Sequence, residues 1–129
     1  MNGPVHEWIA KAEGDLQTAQ RELRARQAPN YDAACFHAQQ CAEKYLKAFL
    51  VQHNLPFRPI HDLEVLLGLI VPANPEFEFV RDLLLLLNDY AANIHYPGES
   101  ATRDEARAAV KAMRTVRAFV RSKLRLSDE

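Results

Sequence analysis

The chain has 129 residues, 48% hydrophobic and 26% charged, with 16 basic against 17 acidic side chains and a formal net charge of -1. That length supports one domain with a single core, residues 1–129, and the composition excludes a disordered chain. The near-neutral charge excludes a globally basic nucleic-acid binder and leaves room only for local patches. Met1 to Glu7 carries no basic segment followed by an apolar run, and the longest apolar run, Leu83 to Leu87, is too short to span a bilayer. A cytoplasmic location with no membrane partner is expected.

The first helix is predicted over Pro4–Arg26. Pro4 suits a first-turn position, and Val5, Trp8, Ile9, Ala12, Leu16, Ala19 and Leu23 recur at helical spacing. Ala28-Pro29-Asn30 breaks this helix, and Asn30 is a good cap for the next. The short connection predicts that helices one and two pack antiparallel.

The second helix, Tyr31–Val51, organises the rest. Tyr31, Ala34, Cys35, Ala38, Cys41, Ala42, Tyr45, Leu46 and Phe49 fall in one apolar sector, small in its first half and bulky in its second. A neighbouring helix can therefore approach closely near Ala34 and Ala38. The opposite sector holds Phe36, His37, Gln40, Glu43, Lys44 and Lys47, a polar face interrupted by an aromatic. Cys35 and Cys41 lie about 9 Å apart along the axis, too far for a disulfide, and read as buried small apolar residues. His37 and Cys41 share a face, but no second pair of ligands has suitable spacing, so no metal site is expected.

Two prolines stiffen the loop Asn54–Pro59. A short helix is predicted from His61 to Val71 on the stripe Leu63, Leu66, Leu67 and Ile70, with Asp62 in its first turn and His61 as a cap or packing residue. Pro72-Ala73-Asn74-Pro75 ends it, and a fourth helix is predicted from Glu76 to Ala92. Its five consecutive leucines sweep about 400° and cannot all face one core, so other helices surround it or part of it lies in a subunit interface. The interface is the expectation for a domain this small. Pro97-Gly98 marks a turn. Thr102 followed by Glu105 has the capping-box pattern and opens the last helix, to about Leu126. Along that helix Arg103, Arg107, Lys111, Arg114, Arg117, Arg121 and Arg125 form one stripe, read either as a solvated face or as a surface for phosphate or an acidic partner.

The segment Ala34 to Ala48, with Phe36-His37-Ala38-Gln39-Gln40 at its centre, resembles the second helix of HEPN domains (higher eukaryotes and prokaryotes nucleotide-binding). His61-Asp62-Leu63 is similar to that family's start of the next helix, and Tyr96-Pro97-Gly98 to its Tyr-Pro turn; the matches span roughly Trp8 to Phe119. The resemblance implies an all-α fold, an antiparallel up-and-down four-helix bundle with one additional short helix, usually homodimeric. Many members are ribonucleases with an Arg and a His four to six residues apart. No arginine stands at that spacing before any histidine here, and His95 replaces the arginine usual before Tyr-Pro in this subgroup. The implication is a non-catalytic or weakly catalytic member, of the kind paired with a minimal nucleotidyltransferase in a toxin–antitoxin-like system.

The leading expectation is a module that binds a nucleotide or RNA. His37, Gln40, Lys44 and Lys47 would supply donors, joined by His95, Tyr96 and Arg103 from the loop and start of the last helix, with Phe36 as a stacking surface. A dimeric scaffold for a partner protein and a ribonuclease with a degenerate site are the alternatives. No catalytic residue and no cofactor is implied.

Overall fold

The computed structural model describes residues 1–93 and 97–126, and the side chains of all of these except 91–93. It is all-α, with α1 over Gly3–Arg24, α2 over Tyr31–Gln52, α3 over Leu63–Ile70, α4 over Arg81–Asn93 and α5 over Arg103–Lys123. Among the described residues there is no strand. Four main helices and the short α3 supply one continuous apolar core.

Local chemistry sets the helix starts. The Asn2 and Asn30 side chains accept from the amides of Val5 at 3.0 Å and Ala33 at 2.9 Å, each satisfying an orphan donor of the first turn. Both halves of the capping box at Thr102 and Glu105 are present. Asp62 sits one place earlier than expected: it is the cap of α3 itself, accepting from Glu64 and Val65. Asn88 of α4 braces the same point, accepting from the Leu63 amide at 3.0 Å and donating to Asp62 at 2.9 Å. Gly98 has φ 89°, a conformation that costs a side-chain-bearing residue more than glycine, and it makes the turn before α5.

The predicted fourth helix divides. Pro75–Val80 is a 3-10 turn, and the α-helix begins only at Arg81. At three residues per turn Phe77 and Val80 fall on one side, and both are buried. Phe77 lies between Phe49 of α2, at 4.5 Å between ring centroids, and Phe119 of α5, at 5.0 Å.

α2 is the central element, touching α1, α3, α4 and α5, while α1 and α4 share no contact among the described residues. α5 runs parallel to α2: the Ala101 amide, just before α5, donates to Asp32 in the first turn of α2, and Arg121 meets Tyr45 near the other end. α1 runs antiparallel to both. The small residues Ala34, Ala38 and Ala42 of α2 and Ala106, Ala109 and Ala112 of α5 are all buried, which suits the close approach of these two helices. Cys35 and Cys41 are free and buried, as expected. Burial pushes the Cys35 thiol up to about 12 and raises that of Cys41 as well, so neither is a thiolate near neutrality.

The five leucines sort themselves by rotation. Leu84 and Leu87 are fully buried, Leu83 and Leu86 are half-buried against the core, and Leu85 lies off it. Surrounding helices thus account for four of the five.

Candidate functional site

α1 and α2 meet along a seam where the apolar face of α1 carries one acid. Asp15 follows Ala12 and precedes Ala19 at helical spacing, so it points into the contact and is 8% exposed. A carboxylate there requires partners. His37 Nδ1 lies 2.7 Å from one oxygen, and Lys44 Nζ bonds the other. Nδ1 is thus engaged by the Asp15 carboxyl, and Nε2 is the ring nitrogen that Asp15 leaves open. His37 and Lys44 remain partly exposed, at 31% and 21% of their side chains. Phe36 stands beside them, 38% exposed and edge-on to the His37 ring at 5.2 Å.

One turn further along α2 the arrangement repeats. Glu43 is 2% exposed and takes Lys47 at 2.9 Å and His61 Nδ1 at 3.1 Å. Gln40 and Gln39 extend the Glu43 group, Gln40 donating to Gln39 Oε1 at 2.8 Å and Gln39 to the His61 carbonyl at 3.0 Å. Each of two buried carboxylates on this ridge therefore holds one histidine and one lysine.

Lys47 corrects the sequence expectation. It is 4% exposed, with Nζ 5.4 Å from the centre of the Trp8 ring and 6.0 Å from that of Phe57. The polar face of α2 is covered at this point by α1 and by the loop after α2, so Lys47 and Glu43 are interior rather than solvent-facing. Gln40 is half-buried.

Arg103 lies elsewhere, beside Tyr31 at the start of α2. Tyr31 precedes Lys47 by sixteen residues, about 24 Å along the helix, so Arg103 and Lys47 do not converge on one small ligand. His95 and Tyr96 lie outside the described residues.

The basic stripe of α5 also divides. Arg117 makes a two-pronged pair with Glu13 of α1, at 2.8 and 2.9 Å, and Arg121 donates to the buried Tyr45 hydroxyl at 3.0 Å. Tyr45 in turn donates to Glu13. Burial acts to raise the Glu13 carboxyl, but the bonds from Arg117 and Tyr45 outweigh it and hold the group below its ordinary value. Burial, and then the bond to Glu13, raises the Tyr45 hydroxyl. Arg114 reaches Gln20 at 2.6 and 2.8 Å. These three arginines join α5 to α1 and α2 and are structural.

Sequence reasoning did not single out Asp15 or assign Glu43 its anchoring role, and it gave His61 the role of a cap or packing residue. Asp15 carried a legible signal, an acid inside an apolar stripe. His61 did not, because its partner Glu43 is eighteen residues away. Among the described residues no group of three or more His, Cys, Asp or Glu side chains is placed to hold a metal ion.

An all-helical single-core bundle, with a polar ridge built on its central helix, defines the class as a helical module. The chain belongs to the HEPN domain family, whose model matches residues 5–123, a family of helical nucleotide-binding modules. Its fold is similar to the crystal structure of an archaeal HEPN homologue, with 24% identity, a TM-score of 0.75, and coverage of 93% of this chain and 97% of that one. It is also similar to the protein TT1696 of Thermus thermophilus, with 27% identity, a TM-score of 0.74, and coverage of 95% and 99%. Comparison with curated proteins returns no match. No helix among the described residues is long and apolar enough to cross a membrane.

Proposed function

We propose that this HEPN domain is a nucleotide- or nucleic-acid-binding module without the ribonuclease chemistry of many relatives, acting with a minimal nucleotidyltransferase as the helical half of a toxin–antitoxin-like pair. The observation that carries the binding reading is the exposed Phe36 ring beside His37 and Lys44, which share the buried Asp15. A flat ring takes a base by stacking, and an anchored imidazole and ammonium take an adjoining phosphate. Because Asp15 holds both donors in place, little ordering entropy remains to be lost on binding.

Calorimetry with ATP, GTP and a short RNA tests this reading, alone and with a co-expressed nucleotidyltransferase. Phe36→Ala is expected to weaken binding by about 1–3 kcal/mol, the usual worth of one stacked base. The same RNA should stay intact on prolonged incubation, since no arginine stands four to six residues before a histidine. Unchanged affinity in Phe36→Ala and Lys44→Ala, or cleavage lost in His37→Ala, defeats the proposal.

A second reading, a scaffold for a partner protein, is favoured by Phe79. It is 74% exposed and stacks on Phe119 at 5.7 Å, a large apolar surface with no role in the ridge.

A further inference from the structure

A second basic surface stands apart from the ridge. Arg24 at the end of α1, Arg26 in the turn that follows, and Arg103 and Arg107 in the first turns of α5 line one concavity of about 640 Å³ with Tyr31. All four arginines are exposed, and none makes an ion pair or a side-chain hydrogen bond among the described residues. The nearby carboxylates are committed to backbone amides. Glu22 accepts from Asn30 at 3.1 Å, Asp32 from Ala101 at 2.6 Å and Glu105 from Thr102 at 2.9 Å. These three carboxylates and the exposed Asp104 offset the local charge without pairing with any of the four arginines among the described residues.

The contrast with the rest of α5 separates this cluster from ordinary surface charge. Arg114, Arg117 and Arg121 each have a partner on α1 or α2 and tie the bundle together. Arg103 and Arg107 have none among the described residues, and two more cations join them from a distant part of the chain. Among the described residues no carboxylate bridges these four, so their placement in one groove adds no ion pair to the fold.

We propose that this groove binds consecutive phosphates attached to a base, as in a nucleoside triphosphate or single-stranded RNA. Guanidinium forks pair with phosphate oxygens two at a time, which fits the use of four arginines and no lysine. The volume lies in the range of small-ligand sites, and the half-buried Tyr31 offers a face to the base. Tyr31 and Phe36 project about 140° apart around α2, so groove and ridge are separate surfaces.

The test uses the full chain with three probes: a short labelled oligouridylate, ATP and inorganic triphosphate. Arg24→Ala/Arg107→Ala and Arg26→Ala/Arg103→Ala are compared with Phe36→Ala. The four arginines are exposed and unpaired among the described residues, so both double variants should keep the wild-type circular dichroism and melting temperature. Each is expected to weaken binding by about tenfold or more, the loss of two charge-assisted contacts. Against RNA, each should also lower the slope of log affinity against log salt by about 1.4, for two phosphate contacts on a single strand. Binding of ATP and triphosphate assigns the site to free nucleotides, and binding of RNA alone assigns it to the polymer. Full affinity in both double variants overturns the proposal, as does loss in Phe36→Ala only, which leaves the ridge as the site. Failure of the wild type to bind any probe at millimolar concentration overturns it equally.

Discussion

Glu13 shows how a single residue decides the use of its neighbours. Its carboxylate receives Tyr45 and both prongs of Arg117, and Arg121 backs the same tyrosine. The folded state holds Glu13 below its ordinary value of 4.5, so the unfolded chain binds this proton more readily. Stability from the group is therefore present above pH 4.5 and is lost as pH falls through that value toward the folded one. Glu13→Gln should destabilise the protein at pH 7 by about 1.5–3 kcal/mol, the usual worth of hydrogen bonds to a charged group. In thermal melts between pH 3 and 7, the gap between wild type and Glu13→Gln should narrow below about pH 4.5. A gap that stays constant across the range would show that the ion pair contributes nothing through its charge.

At the scale of an element, the helix starts differ in what they hold. Thr102 caps α5 alone, whereas Asp62 caps α3 and also receives Asn88 of α4. Thr102→Ala is expected to cost about 1 kcal/mol, an ordinary cap loss. Asp62→Ala should cost more, because it also leaves the Asn88 amide without its acceptor. Urea titrations of the two variants give the comparison directly, and equal losses would mean that the α3–α4 brace adds nothing. The same scale accounts for α2. Its outward face reads as polar on a helical wheel, yet Glu43 and Lys47 are interior, Lys47 lying against Trp8 and Phe57 from elsewhere in the chain.

For the whole molecule, α3 and α4 carry apolar side chains that the core does not use. Val65 and Leu69 are 49% and 38% exposed, and Leu85 lies off the core. A homodimer through these residues is the expected assembly, since exposed large apolar side chains that the core does not use mark an interaction site. Sedimentation at micromolar concentration should give twice the chain mass. Leu85→Glu should yield a folded monomer, whereas Leu84→Glu should unfold the chain, because only Leu84 is fully buried and a lone buried charge is costly. A wild-type monomer at that concentration removes the dimer.

The sequence by itself determined the helices and the apolar stripes, because both depend on neighbours within a few residues. Asn30, Thr102 and Glu105 announced their caps, and Leu63, Leu66, Leu67 and Ile70 announced a buried stripe that is completely covered. The breakdown of Pro75–Val80 into a 3-10 turn was not legible, because Phe77 is held by Phe49 and Phe119 rather than by local propensity. The site residues divide on the same principle. His37 and Lys44 were visible as neighbours on one helix, but the carboxylate that fixes both comes from α1, and His61 meets Glu43 across eighteen residues. Only the tertiary structure decided which cations of α5 are structural and which line a groove with Arg24 and Arg26. A helical wheel gives the direction in which an arginine points, and charge pairing depends on what another helix places within about 4 Å of it.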